Sequence, residues 1–246
     1  MLSFWARTSG TWINIATVLV GSSLGLWLRH RLPVSMQQII TQALGLLTIV
    51  IGLAMSQSLF EVEAGPIDGV ILGLLALVVG GLLGEWWQVE KKLIGIGDTL
   101  KAQVKGGGRF TEGFMAASLL FCIGPMTIIG SLNNGLVGDN TLLTLKAVMD
   151  GLAAIALTGS YGIGVSFSAL TLLLIQGGLS LLAGSLTPVL GDPATDPHVM
   201  LTTGIGGMMI IGLGLGLLEV AKIRIASFLP ALLLGPIVVA IARWFS

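Results

Sequence analysis

Lys146 and Asp150, opposite charges four residues apart in an otherwise uncharged stretch, are the residues of this chain best placed to do chemistry. At that spacing they share one helical face within salt-bridge reach. If their helix begins at Thr141, the helical rise carries Asp150 about 13 Å into the span, near its middle. A carboxylate at that depth is costly and by default marks a site facing a cavity, a cation or a proton path. Lys146 is its partner or snorkels outward, and the structural alternative is an ion pair that closes a bundle. Gly124-Pro125 interrupts the preceding apolar run at its middle. Proline has no N–H, so the Phe121 carbonyl loses its helical donor and is free to face a cavity, a water or a cation. Thr127, Ser131, Asn133 and Asn134 add polar atoms beyond the break. Discontinuous helices that expose backbone groups recur at transport sites. The candidate substrate- or ion-binding set is therefore Asp150, Lys146, Phe121, Gly124, Pro125 and Asn133.

Other chemistry fails on inventory. One cysteine, Cys122, and two histidines, His30 and His198, give no internal disulfide, zinc cluster or bis-histidine haem. HExxH, GxSxG and P-loop patterns are absent, and the two histidines fall in loops on opposite sides of the membrane. The expectation is a protein that is not an enzyme, with no catalytic residues, no metal and no cofactor. Zero net charge and no basic stripe with interleaved aromatics argue against a nucleic-acid partner. The remaining polar residues inside apolar runs, among them Asn14, Thr17, Gln42, Ser166, Ser168, Thr171 and Gln176, read as hydrogen-bonding glue between helices.

The elements that must position these residues follow from the solvent. Of 246 residues, 54% are hydrophobic and 10% charged, against roughly 25% charged in soluble domains. Mean hydropathy is +0.97. Such a chain cannot solvate a surface, and without period-2 segments a helical bundle is the remaining way to satisfy its backbone in lipid. Runs without charge cover residues 8–28, 32–60, 69–84, 113–138, 151–191, 199–218 and 225–242. The 41-residue run 151–191 is twice too long for one crossing and must break near Gly159–Gly164. That gives a fifth span over 141–158 and a sixth over 164–184. The fold class is all-α: a polytopic transmembrane bundle of about eight spans forming a single membrane domain over 1–246.

Basic residues sit in alternate loops: Arg29 and Arg31, then Lys91 to Arg109, then Lys222 and Arg224. Glu61, Glu63, Asp68, Asp139, Asp192 and Asp196 occupy the others. The basic side reads as cytoplasmic, with both termini outside and with single residues Arg7 and Arg243 disagreeing. The N-terminal run is too long for a signal h-region and is retained as a span. Residues 85–109 form the one sizeable connector, with Leu93, Ile96, Leu100 and Val104 at helical spacing between lysines. It reads as an amphipathic cytoplasmic helix on the inner leaflet ended by Gly106-Gly107-Gly108, with gating or partner binding as the functional alternative. A weak internal repeat sets Gly52 against Gly212 and Leu72-Gly73 against Leu234-Gly235. In the eight-span topology this makes spans 1–3 and 6–8 an inverted pair, with four and five as an insertion. Gly21xxxGly25, Gly80xxxGly84 and Gly212xxxGly216 permit close backbone approach inside the bundle or in a homo-oligomer.

GTWINIATVLVGSSLGLWL, QALGLLTIVIGLAMS, ASLLFCIGPMTIIGSLNNGLVGDNTLLTLKAVMDG and YGIGVSFSAL together resemble the YqgA/YdfK-like family of uncharacterised bacterial inner-membrane proteins. The resemblance covers nearly the whole chain. Its central pattern falls on Cys122, Gly124, Met126, Gly130, Ser131, Gly138, Asp139, Lys146, Asp150 and Gly151. It implies a multi-pass protein of the bacterial cytoplasmic membrane and supplies no substrate. The reading is a transporter or channel for a small solute or cation, partnered by the lipid bilayer, with its polar centre on spans four and five. The alternative is a non-transporting scaffold or sensor acting through residues 85–109. A solvent-lined Asp150 favours the first; a dry, tightly packed Lys146–Asp150 pair favours the second.

Overall fold

The computed structural model describes residues 3–29, 31–186 and 195–244, the side chains of 184–186 excepted. His30 and Asp192 lie outside the described residues. Every regular element described is helical. The long helices are α1 (Phe4–Arg29), α2 (Val34–Ser56), α3 (Gly69–Trp86), α4 (Val89–Gln103), α5 (Phe110–Cys122), α6 (Pro125–Val137), α7 (Thr141–Tyr161), α10 (Pro197–Leu217) and α11 (Leu229–Trp244). Between α7 and α10 run a 3₁₀ turn (Ile163–Phe167), α8 (Ser168–Leu172), a π-helical turn (Leu173–Gly177) and α9 (Gly178–Leu186). Among the described residues seven helical stretches are long and apolar enough to cross a membrane, and α5 with α6, bent by 62° at their break, make an eighth if the pair is one span.

Local chemistry sets the ends. Asp68 accepts from Val70 N at 2.8 Å to start α3, and Asp196 accepts from His198 N at 2.8 Å to start α10 behind Pro197. His198 thus sits in the first turn of α10 rather than in a loop, its ring 2.8 Å from the same carboxylate. Gly138 in the left-handed region (φ 77°) ends α6, and Gly162 (φ 88°) ends α7 within the expected break. The connector differs at its start: residues 85 and 86 prolong α3, and the chain turns at Gln88, φ 53°, before α4 begins. The amphipathic helix expected there ends at Gln103, just ahead of the three glycines, with Ile96 and Val104 exposed.

The chain forms two compact units, one of Met1–Leu44 with Ile94–Val189 and one of Gly45–Leu93 with Leu190–Ser246. In the first unit α1 lies along α7. A Cβ on Gly10 would meet Leu143, one on Gly21 would meet Gly151 and Ala154, and one on Gly25 would fall 2.5 Å from the Ile155 carbonyl oxygen. The numbers rise together, so the two helices run parallel. In the second unit Gly45 faces Leu218, Gly52 faces Ile211, and the Ser58 hydroxyl donates to Met200 O, so α2 and α10 are antiparallel. Gly80 against Ala231 and Gly84 against Ser227 make α3 antiparallel to the run ending in α11. All three relations hold if α5–α6 is one bent crossing and each would reverse if that pair turned back. Two 13-residue halves bent by 62° still reach about 33 Å, enough for a hydrocarbon core of ~30 Å.

Gly21 and Gly25, and Gly80 and Gly84, have close backbone neighbours within their units, so these two motifs serve internal packing; in the third, Gly212 meets Ile225 while Gly216 is exposed. The aligned glycines of the repeat have unlike partners: Gly52 lies on α10, Gly212 against Ile225. The inverted repeat is therefore not confirmed at its anchor. Leu74, Leu82, Leu152 and Leu233 stand well exposed along the spans, as lipid-facing side chains do. The two basic residues that oppose the loop pattern are occupied locally. Arg7 donates to Gly135 O at 3.1 Å and Leu181 O at 2.6 Å, and Arg243 stands in the last turn of α11, where a cation meets the helix dipole.

Candidate functional site

The site belongs to the first unit and starts from the backbone break. α5 stops at Cys122, Ile123 is extended, and Pro125 begins α6 with no N–H to offer, so the Phe121 carbonyl has lost its helical donor. The cation it meets is internal: Lys146 Nζ donates to Phe121 O at 2.6 Å. Thr127 Oγ1, one turn into α6, approaches the same oxygen at 3.4 Å. On the other side Lys146 forms an ion pair with Asp150 Oδ2, one turn further along α7. Exposures of 6% for Lys146 and 7% for Asp150 place both charges inside the unit. Phe121, Lys146 and Asp150 are thus brought together as the spacing indicated, with Gly124 and Pro125 creating the free carbonyl.

The network continues onto α1 and the π-helical turn. Asn14 Nδ2 donates to Asp150 Oδ2 at 2.9 Å and to Gln176 Oε1 at 3.0 Å, and Gln176 Nε2 donates to Thr11 Oγ1 at 3.4 Å. Asn14, Gln176 and Thr11 are fully buried. Asn14 and Gln176, read from the sequence as hydrogen-bonding glue, do join helices, and Asn14 does so on the Asp150 carboxylate with Gln176 bonded behind it. Their only local signal is polarity inside an uncharged run, and knowing that α1 lies along α7 is what connects them to Asp150. The π-turn, a distortion common at functional sites, carries Gln176.

Asn133 is not brought to the ion pair. It is partly exposed on α6, and the neighbouring Asn134 takes the inward position. Asn134 Oδ1 accepts from Gly10 N at 3.1 Å while Nδ2 donates to Ala6 O and Ser9 Oγ, both at 3.0 Å. Asn140 Nδ2 also reaches Ser9 Oγ, at 2.9 Å, so Asn134 clamps one end of α1 rather than the ion pair. Asp139 beside it is exposed, and hydrogen bonds from Thr141 hold its carboxyl below the usual range.

An ammonium held between a carboxylate and a helix-break carbonyl occupies the kind of oxygen-lined position a free cation would take. Its arrangement can exchange a proton or swap the tethered cation for a mobile one. It offers neither a nucleophile–base pair nor, among the described residues, any group of three or more His, Cys, Asp or Glu able to hold a metal. The grooves described in the first unit lie elsewhere: one, of about 340 Å³, is apolar and open between Thr17, Gly21, Gly151 and Ile155.

A second polar cluster lies at the start of α4 in the other unit. Glu85 pairs with Arg224 at 2.6 Å, and Glu90 Oε2 accepts from Ala226 N at 3.2 Å, at the turn that leads into α11. Burial pushes the Glu90 carboxyl above its ordinary range, opposed by backbone hydrogen bonds from Ala226 and Ser227 and by Arg224.

The family model described as protein of unknown function (DUF554) matches residues 9–240. The chain is 29% identical over 237 residues to the uncharacterized membrane protein YdfK of Bacillus subtilis (strain 168), covering 96% of this chain and 97% of that one. It is 30% identical over 249 residues to the uncharacterized protein YqgA of Escherichia coli (strain K12), covering 96% and 99% respectively. No solved structure matches it.

Proposed function

The chain belongs to the DUF554 family of unknown function, and from that premise we propose that it is a multi-pass transporter of the bacterial cytoplasmic membrane, moving a small solute or cation through the polar centre of spans four and five. The observation that carries this reading is Lys146 Nζ bridging the Phe121 carbonyl and the Asp150 carboxylate inside the unit. A charge pair at mid-span is expensive, and a broken helix beside it supplies a backbone ligand that an intact helix would not. In this reading the protein is not an enzyme, its partners are the bilayer and its solute, and it binds no nucleic acid. A homo-oligomer would use surfaces other than Gly21xxxGly25 and Gly80xxxGly84, whose glycines pack against neighbouring helices of the same unit. In this reading both termini face the periplasm and α4 lies on the cytoplasmic leaflet, which the alternation of basic loops supports.

Flux into proteoliposomes, screened over protons, monovalent cations and small metabolites, tests the reading. The expected outcome is transport of at least one class, abolished by Asp150→Asn. No flux of any class overturns it.

A specific observation favours a second reading. The Lys146–Asp150 pair is packed and hydrogen-bonded, with 6% and 7% of its residues' surface exposed. A non-transporting scaffold or sensor, acting through α4, needs only such a closed pair. In the transport reading the same packing is an occluded state, with Lys146 standing in for the cargo.

A further inference from the structure

Five buried side-chain oxygens among the described residues lack a hydrogen-bond partner: Asn14 Oδ1, Ser22 Oγ, Ser131 Oγ, Thr158 Oγ1 and Ser180 Oγ. All five belong to the first unit, on α1, α6, α7 and α9, and the second unit contributes none among its described residues. Buried polar atoms are rarely left alone in native proteins, and a cluster of them marks where ordered water is held. Their order along the helices is informative. Asn14 is at the level of the ion pair, since it donates to Asp150. Ser180 lies one turn beyond Gln176 on one side, about 6 Å away by the helical rise. Ser131 comes between the break at Pro125 and the clamp at Asn134 on that same side. Ser22 and Thr158 each lie eight residues past Asn14 and Asp150 on the parallel helices α1 and α7, about 12 Å toward the other side.

We propose that this seam is a proton path: water held by Ser131 and Ser180 leads to Asn14 and Asp150, water held by Ser22 and Thr158 leads away, and the transported or coupled species is the proton. The inference rests on the transport reading and names its cargo. Hydroxyls and water both donate and accept, so a proton passes by successive hops, each oxygen taking one proton and releasing another. At the centre Asp150 accepts a proton on its carboxylate and gives it up to the opposite side, while Lys146 keeps its charge on the Phe121 carbonyl. A solvated metal cation would need a cavity, whereas a proton needs only a file of oxygens. The ionisable groups near the carboxylate are Lys146 on its own helix and Cys122 on α5, and α1 and the π-turn present amides. Fully buried Val18 and Ala154, midway between the central and the far hydroxyls, close the path in this state.

The experiment uses the full chain in liposomes containing a pH-sensitive dye, under an imposed proton gradient, beside sodium and potassium gradients. The expected result is collapse of the proton gradient by the wild type. Ser131→Ala with Ser180→Ala, and separately Ser22→Ala with Thr158→Val, should slow it at least tenfold while the melting temperature stays within a few degrees. Proton flux at the wild-type rate in both folded pair variants overturns the path. A wild type that carries sodium or potassium but no protons overturns the proton assignment and leaves the transport reading standing. A wild type that carries nothing overturns both, and the wild-type arm is decisive even if a variant fails to fold.

Discussion

At the residue scale the structure turns on which charges are paired. Asp150→Asn keeps shape and hydrogen bonding but leaves Lys146 inside the unit without its counter-ion. Breaking a buried pair in this way typically costs about 3–5 kcal/mol. The expected outcome is a variant that melts well below the wild type in detergent, measured by thermal unfolding. Glu90 gives the opposite sign. Its carboxyl is held above the ordinary range by burial, so the folded chain binds its proton more tightly than the unfolded one. That contribution is complete below the unfolded pKa and is lost as pH rises through the folded value. Glu90→Gln, which still accepts from Ala226 N, should therefore melt no lower than the wild type at pH 7, with the gap closing toward pH 4. Asp150, Lys146 and Phe121 were legible in the sequence because a charge in an apolar run and a proline are local signals. Asn14 and Gln176 were not, because their role depends on which helices meet. Asn133 and Asn134 are not distinguishable by sequence, because a step of one residue turns a helix face by about 100° and polarity alone does not say which face is inward.

At the element scale the close parallel packing of α1 and α7 carries the site, because it sets Asn14 beside Asp150. Gly25 makes it possible: a Cβ there would fall 2.5 Å from a backbone oxygen and 2.8 Å from the Thr158 Cβ. Gly25→Leu should destabilise by about 1–3 kcal/mol or more through overpacking, read as a lower melting temperature. Gly95 on exposed α4 has nothing within 4 Å of an added Cβ. Gly95→Ala should raise stability by about 0.5–1 kcal/mol, the helix-propensity gain alone. The spans and the break at Gly162 were readable because charges and glycines punctuate them. The end of α3 was not, since the turn there is made by Gln88 in a left-handed conformation that no glycine announces. The repeat is not confirmed at its anchor for a related reason: glycines recur in apolar helices wherever backbones approach, and Gly52 and Gly212 approach different neighbours.

At the scale of the whole molecule, helix directions within the two units match the eight-crossing topology, in which both termini share one side of the membrane. Reporter fusions after Ser246 and within 101–108 should report periplasm and cytoplasm respectively. A cytoplasmic C-terminus would mean that α5–α6 turns back. The central claim, that the buried pair is a transport site rather than a structural tie, is tested most directly by one variant, Lys146→Met with Asp150→Asn, measured for flux in liposomes and stability in detergent. Removing both charges removes the unpaired-charge penalty, so the double variant should recover much of the stability that Asp150→Asn loses. The account predicts a folded, stable double variant with no flux, because the group that a proton or cation must titrate is gone. A double variant that is stable and transports at the wild-type rate would contradict it.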